Sequence, residues 1–114
     1  VEPFTEVEEK LDLSSLTQQP HHFALRVTGD SMIEDFITEG DVVIMREMDP
    51  SQVLQNGEIV AARVDGYGTT LKRFYQEGEK VTLKPANSKY QPIKVTADQV
   101  EVQGVLVGVW RGYI

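Results

Sequence analysis

Two short stretches of this chain could do chemistry together. Val27-Thr28-Gly29-Asp30-Ser31-Met32 presents a hydroxyl, and Thr69-Thr70-Leu71-Lys72-Arg73-Phe74 presents an amine, the lysine lying 41 positions beyond the serine. A serine hydroxyl is a poor nucleophile at neutral pH and becomes a useful one when a base within hydrogen-bond reach takes its proton. Lysine can be that base only while uncharged, a state that burial favours by penalising the ammonium form. Moving a lysine pKa from about 10.4 towards 7 destabilises the charge by about 4 kcal/mol, which the fold must supply. With the folded pKa depressed, the native state binds fewer protons than the unfolded chain between the two values, so this contribution would make stability rise with pH across that window. The remaining elements must hold the amine in a dry, apolar place beside an exposed hydroxyl.

Phe23, Leu25 and Val27 alternate with Ala24 and Arg26, the period-two pattern of a strand with one buried face. Gly29 ends it. Met32, Ile33, Phe36 and Ile37 return at helical spacing, which predicts one short helical turn after Ser31 and puts the serine near unpaired backbone N–H groups. Residues 41–46 form a second apolar run, followed by a polar loop that contains Asp49-Pro50 and closes on the turn pair Asn56-Gly57. A third strand covers 58–64, Asp65-Gly66-Tyr67-Gly68 is a hairpin signal, and 69–75 is the returning strand that carries Lys72. Glu77-Gly78-Glu79 turns the chain into 80–84, and after the loop Pro85-Ala86-Asn87-Ser88 come a short strand at 93–95 and a long one at 100–110. Turn signals every eight to twelve residues and almost no helix predict an all-β chain, a curled antiparallel sheet or small barrel. Alternation puts Thr70, Lys72 and Phe74 on one strand face and Leu71, Arg73 and Tyr75 on the other, and since both faces are mixed, periodicity leaves open which is inside. Residues 1–22, with Ser14-Ser15 and Gln18-Gln19-Pro20, read as an arm or connector holding at most one short element, and 23–114 as the β-rich domain.

At 114 residues with 40% hydrophobic content the chain can close a single core. Eighteen acidic against eleven basic residues give a net charge of -7, the wrong sign for a surface that neutralises phosphates, so direct nucleic-acid binding is not expected of it. The absence of cysteine removes disulfides, zinc thiolates and thiol catalysis, and is compatible with a reducing cytoplasm. Apolar runs are too short for a spanning helix and Val1-Glu2-Pro3-Phe4 is not signal-like, so a cytoplasmic chain without a membrane partner is expected. No His, Asp or Glu cluster has metal-ligand spacing, and no metal or other cofactor is assigned. His21 and His22 could be tried in a Ser-His-Asp arrangement, but they precede the first core strand beside Pro20 without a matching motif and read as solvated loop residues. Asp30 reads as a turn former whose carboxylate does not turn onto its neighbour's hydroxyl.

A wider pattern accompanies these residues. Val27-Thr28-Gly29-Asp30-Ser31-Met32-Ile33, the following Gly40-Asp41, Ala62-Arg63-Val64-Asp65-Gly66, Thr70-Leu71-Lys72-Arg73 and Pro85-Ala86-Asn87-Ser88-x-Tyr90-x-Pro92-Ile93 resemble the C-terminal domain of LexA-type SOS repressors. The similarity extends to the mutagenesis protein UmuD and to phage repressors of the same peptidase family, and it covers nearly the whole chain from about Phe4 to Gly112. The resemblance implies a serine-lysine dyad in which Ser31 attacks a peptide carbonyl and neutral Lys72 takes its proton. It also implies that Thr70 hydrogen-bonds the lysine amine and that the Ser31 and Met32 backbone N–H groups are the oxyanion donors. Further implications are stimulation of self-cleavage by the RecA filament on single-stranded DNA, and DNA binding only through an upstream helix-turn-helix domain that this sequence does not contain.

The family's substrate is a bond in its own chain, Ala-Gly or, in UmuD, Cys-Gly, just ahead of this region; neither pair occurs in these residues. The sequence begins at Val1 without an initiator methionine, and the scissile bond is expected just before it, so that the chain corresponds to the fragment after cleavage. Val105-Leu106-Val107-Gly108-Val109-Trp110 is apolar on both faces, the pattern of a central core strand. The resemblance adds a homodimer formed through this strand about a two-fold axis. Other readings stay open: a UmuD-type polymerase accessory, a non-catalytic β interaction module, and a leader peptidase, the membrane-anchored relative with the same dyad. Ala62-Arg63-Val64-Asp65 and Lys72-Arg73-Phe74 lean towards the repressor, intact Ser31 and Lys72 stand against the inert module, and the lack of a spanning segment stands against the leader peptidase.

Overall fold

The computed structural model describes residues 6–11, 20–49 and 51–111, the first of these through the backbone alone. Within them run β1 (Glu6–Leu11), β2 (His22–Thr28), β3 (Val42–Glu47), β4 (Ile59–Val64), β5 (Gly68–Glu77), β6 (Lys80–Lys84), β7 (Ile93–Thr96) and β8 (Val100–Trp110). They form one sheet in the order β1-β2-β3-β8-β4-β5-β6-β7, with antiparallel pairings throughout. A bridge from Glu6 to Thr70 also joins β1 to β5, so six strands form a ring of neighbours and β6 and β7 continue beyond it. Register shifts opposite Ile44/Met45 of β3 and Ala61/Ala62 of β4 leave Val107 and Gln103 of β8 as extra residues, bulges that let a sheet bend. The expected curled all-β architecture is the one observed. The β1 strand lies inside the segment read as an arm, β2 begins at His22, and Ser14, Ser15, Gln18, Gln19 and the neighbourhood of Val1 are outside the described residues.

Burial resolves what alternation left open on β5. Thr70, Lys72 and Phe74 are buried, and so is Leu71 between them. Leu71 packs with Val27, Met32, Met45 and Ala61, whereas Phe74 packs with Val60, Ala62, Val81 and Leu83. The sheet therefore carries apolar clusters on both faces of β4 and β5, and each fully buried aliphatic or aromatic side chain contributes about 1.5–3 kcal/mol. This doubly covered region is where Lys72 sits, which is how the sequence produces a dry site for an amine.

The segment after Ser31 forms the one short helical turn expected of it. It is a single 3-10 turn, Ile33–Asp35, which Phe36 ends in the left-handed conformation at φ 64°. Three residues are too few to carry a helical face, so Met32 and Ile37 are buried while Ile33 is 43% and Phe36 83% exposed. A second 3-10 turn, Ala97–Gln99, precedes β8; Thr96-x-x-Gln99 has the spacing of a capping box and the Gln99 side chain accepts from the Thr96 N–H at 3.0 Å. No helix among the described residues is long and apolar enough to cross a membrane.

Candidate active site

Ser31 lies in the turn that leaves β2. Gly29 takes φ 81°, a left-handed value costly for a residue with a Cβ, and lets the chain reverse directly after Thr28. Beyond the serine the turn closes on itself: Ile33 N–H donates to the Asp30 carbonyl at 3.2 Å, and Asp35 and Ile37 N–H both donate to the Met32 carbonyl, at 3.0 and 3.2 Å. The Met32 side chain is fully buried in the apolar cluster and pins the turn to the core. Its backbone, at φ -118° and ψ 21°, lies near the sparsely populated bridge region where residues of functional turns often sit.

Lys72 enters from the middle of β5, opposite Val60 of β4. Its Nζ lies 3.0 Å from Ser31 Oγ, 2.7 Å from Thr70 Oγ1 and 3.2 Å from the Leu71 carbonyl oxygen. Thr70 stands two residues before Lys72 on the same strand face, so the pleat itself delivers its hydroxyl to the amine. Ser31, Thr70 and Lys72 are each 0% exposed, so the serine hydroxyl, expected to be exposed, is buried together with the amine. Lysine is almost never buried to this degree, so the fold invests in keeping this one dry. The structure thus brings together three of the four site residues expected from the sequence, and Met32 adjoins them in the chain. His21 and His22 lie at the other end of β2, where His22 Nδ1 is 2.8 Å from the Pro20 carbonyl and His21 Nδ1 is 3.5 Å from Glu47 Oε1.

Around this centre the serine turn is tied down by residues to which the sequence reading gave no role. From the loop between β6 and β7, Asn87 Nδ2 donates to the Asp30 carbonyl at 2.9 Å, the Tyr90 hydroxyl donates to Asp30 Oδ1 at 2.6 Å, and Lys89 Nζ lies 3.3 Å from Asp30 Oδ2. The Tyr90 hydrogen bond, aided by Lys89 and opposed by partial burial, holds the Asp30 carboxyl below the usual carboxylate range, and Asp30 in turn pushes the Tyr90 phenol up. Glu34 accepts from Ser88 N–H at 2.8 Å and its own N–H donates to the Ala86 carbonyl at 2.7 Å. Asp30 does shape a turn, as expected, but its carboxylate works against the 86–90 loop. The Asn87-Ser88-x-Tyr90 run was the available signal, since it is one of the motifs that carry the family resemblance. At the far end of the turn Arg111, just after β8, donates from Nε and Nη2 to the two Asp41 carboxylate oxygens at 2.6 Å each, and from Nη2 to the Phe36 carbonyl at 3.0 Å.

Among the described residues no group of three or more His, Cys, Asp or Glu could hold a metal ion. A buried hydroxyl, a buried amine within hydrogen-bond distance of it and a second hydroxyl on that amine form the constellation of a serine nucleophile with a lysine base. Comparison with known proteins supplies the family. The sequence profile of the family described as Peptidase S24-like matches residues 2–107, and the chain belongs to this family. Within it, the chain is a LexA-type domain. It is 42% identical over 113 residues to the transcription regulator LexA of Synechocystis sp., covering 99% of this chain and 56% of the relative. It is 49% identical over 100 residues to the LexA repressor of Thermotoga neapolitana, 88% of this chain and 46% of that one, and 46% identical over 109 residues to the LexA repressor of Syntrophobacter fumaroxidans, 95% and 51%. The chain therefore spans about half the length of these relatives.

Proposed function

We propose that this chain is the self-cleaving peptidase and dimerisation domain of an SOS-response repressor, with Ser31 as nucleophile and Lys72 as general base. The observation that carries the reading is the 3.0 Å separation of Lys72 Nζ and Ser31 Oγ, both fully buried. An ammonium would donate to all three neighbouring oxygens. A neutral amine would donate to the Leu71 carbonyl and Thr70 Oγ1 and keep its lone pair for the Ser31 proton; burial favours this second arrangement, because the charged form loses its hydration.

The reaction follows from those positions. Ser31 Oγ forms a bond to the carbonyl carbon of the scissile peptide as its proton passes to Lys72 Nζ, and the resulting oxyanion is met by backbone N–H groups, for which Ser31 and Met32 are our assignment. Collapse of the tetrahedral intermediate breaks the C–N bond, and Lys72 returns the proton to the leaving amine. A water molecule then attacks the acyl carbon as its proton passes to Lys72 Nζ, and collapse of this second intermediate breaks the bond to Ser31 Oγ, which takes the proton back from Lys72. The ammonium exists only between proton transfers, so its desolvation cost is not borne by the resting site.

The domain's other roles rest on its family. The relatives are named as LexA repressors and transcription regulators, which supports the repressor branch over a UmuD-type accessory. In that reading the RecA filament stimulates cleavage, and DNA is bound by a helix-turn-helix domain elsewhere in the full-length protein. Dimerisation through β8 is supported by its pairing pattern. β4 pairs with it only from Val100 to Val105, whereas β3 pairs with it as far as Trp110, so beyond Val105 one strand edge has no partner among the described residues. Val107 and Val109 on that stretch are 48% and 43% exposed. The test of the peptidase is cleavage in trans, at rising pH, of a fluorogenic peptide containing an Ala-Gly bond. The parent chain is expected to cut it and Ser31→Ala is expected to be silent, whereas cleavage by the Ser31→Ala protein removes the serine from the mechanism.

A further inference from the structure

Lys72 and Arg73 are consecutive on β5, so their side chains leave the strand on opposite faces. Both nevertheless end on the same short turn, Lys72 at Ser31 and Arg73 four residues later at Asp35. The Arg73 contact is bidentate: Nε donates to Asp35 Oδ2 at 2.9 Å and Nη2 to Oδ1 at 3.0 Å, while Nη1 donates to the Gly57 carbonyl in the turn before β4. The Arg73 and Asp35 side chains are 37% and 23% exposed.

We infer that the Arg73–Asp35 pair is a positioning device for the dyad, fixing the serine turn against β5 at a second point so that Ser31 Oγ stays within reach of Lys72 Nζ. This rests on the dyad reading proposed above. One hydrogen bond between Ser31 and Lys72 leaves the turn free to pivot about that contact; a planar fork at Asp35 removes the pivot, because two parallel N–H···O bonds fix orientation as well as distance. The bond to Gly57 adds a third anchor and ties the fork to the start of β4. A partly buried bidentate pair can add stability as well as fix geometry, so thermal midpoints are needed beside kcat to tell the two roles apart. Neither Arg73 nor Asp35 touches the reacting atoms. They act through Lys72 and Ser31, which lie in the same two segments but 41 residues apart along the chain.

The experiment uses the Ala-Gly fluorogenic peptide with the parent chain, Arg73→Gln, Asp35→Asn and the exchanged pair Arg73→Glu with Asp35→Arg, each with its thermal midpoint. A positioning role predicts that each single change lowers kcat about 30- to 100-fold with KM within about twofold, since small misplacement of reacting groups has effects of that order. Thermal midpoints should stay within a few degrees of the parent, and the exchanged pair should recover at least about tenfold over the worse single variant, because a reversed pair restores the fork's attraction. Singles that keep kcat within about threefold of the parent, losses that merely track the folded fraction, or an exchanged pair no better than the worse single each overturn the proposal. Ser31→Ala and Lys72→Met run alongside: if either cleaves, the dyad reading itself falls, whereas silence from both with fully active Arg73 and Asp35 variants sinks the positioning role alone.

Discussion

Thr70 Oγ1 lies closer to the Lys72 amine, at 2.7 Å, than Ser31 Oγ does, at 3.0 Å. The threonine therefore decides where Nζ rests, and the serine meets an amine already held in place. Both hydroxyls lie in a fully buried site, shielded from bulk solvent. Replacing Thr70 by valine keeps the branched shape and removes the hydroxyl. We expect Thr70→Val to fold normally and to cleave the Ala-Gly peptide about tenfold more slowly at unchanged KM, the loss corresponding to one hydrogen bond. Equal kcat in the two proteins would show that Leu71 and Ser31 suffice to place the amine.

Ser31→Ala should abolish cleavage, with a fall of at least about 10³-fold, because no other group in the turn can form the acyl intermediate. The turn itself is closed by backbone bonds to Asp30 and Met32 and by the Asn87 amide, none of which uses the serine hydroxyl. Its thermal midpoint should therefore match the parent within a few degrees. A large drop would mean that the hydroxyl holds the turn as well as reacting.

Lys72 is among the largest fully buried side chains of the domain, and this separates its chemical role from its packing role. Lys72→Met fills nearly the same space and gives up only the amine's hydrogen bonds to the Ser31 and Thr70 hydroxyls and the Leu71 carbonyl, so it should lose less stability than a variant that also opens a cavity. Lys72→Ala leaves a cavity between the two apolar clusters and should lower stability by about 2–4 kcal/mol. Both should be inactive. Denaturant unfolding of the pair is the check: a methionine variant as unstable as the alanine variant would make Lys72 a structural residue.

The sequence made the strands legible because their alternation and turn chemistry are local. The β8 strand was read to its observed ends, and the hairpin at Asp65-Gly66-Tyr67-Gly68 joins β4 to β5 as expected. The proximity of Ser31 and Lys72 was legible for another reason: a serine at a strand exit and a lysine on a hairpin strand occur here within a longer run of motifs that resembles one family. The one short helical turn expected after Ser31 is present as the 3-10 turn Ile33–Asp35. Spacing of Met32, Ile33, Phe36 and Ile37 describes a helix only if the backbone continues as one, and here tertiary packing of Met32 and a left-handed Phe36 stop it after three residues. The clamps on the turn were hidden. Arg73–Asp35, Tyr90–Asp30 and Arg111–Asp41 join residues separated by 38, 60 and 70 positions, and nothing in one sequence says which of many exposed charges will meet.

Gly104 lies on β8 where its strand passes between β3 and β4, opposite Glu47 and Ala61. A Cβ built there would come within 2.8 Å of the Arg46 carbonyl oxygen and 2.9 Å of the Phe23 ring. Backbone cannot move aside as a flexible side chain can, and Phe23 is itself buried, so Gly104→Ala should lower stability by about 1–3 kcal/mol, the usual cost of overpacking. Phe23→Leu in the same protein should return part of that loss by freeing the ring's space. An alanine variant as stable as the parent would mean that β8 can shift against β3 more easily than its pairing implies.

Asp41 gives the domain a specific acid sensitivity. Its carboxylate is almost fully buried at the head of β3, accepts the Arg111 guanidinium through both oxygens and takes the Thr38 N–H at 2.9 Å. The Arg111 hydrogen bonds hold its carboxyl below the ordinary range, against the opposing effect of burial. Because the folded pKa is depressed, protons bind more readily to the unfolded chain across the interval between the two values. The stabilisation is therefore fully present above the unfolded value of about 4 and is lost as pH falls through the folded one. Asp30 and Asp49, shifted in the same direction, lean the same way. Asp41→Asn keeps the size of the side chain but gives up the charge, so its thermal midpoint near neutrality should fall by about 4–8 °C, and its decline between about pH 5 and 3 should be shallower than the parent's. Parallel acid profiles for the two proteins would remove Asp41 as the source of this sensitivity. The same variant loosens the tie from Arg111 to the Phe36 carbonyl at the end of the serine turn, so cleavage measured at neutral pH should fall with it even where the protein is fully folded.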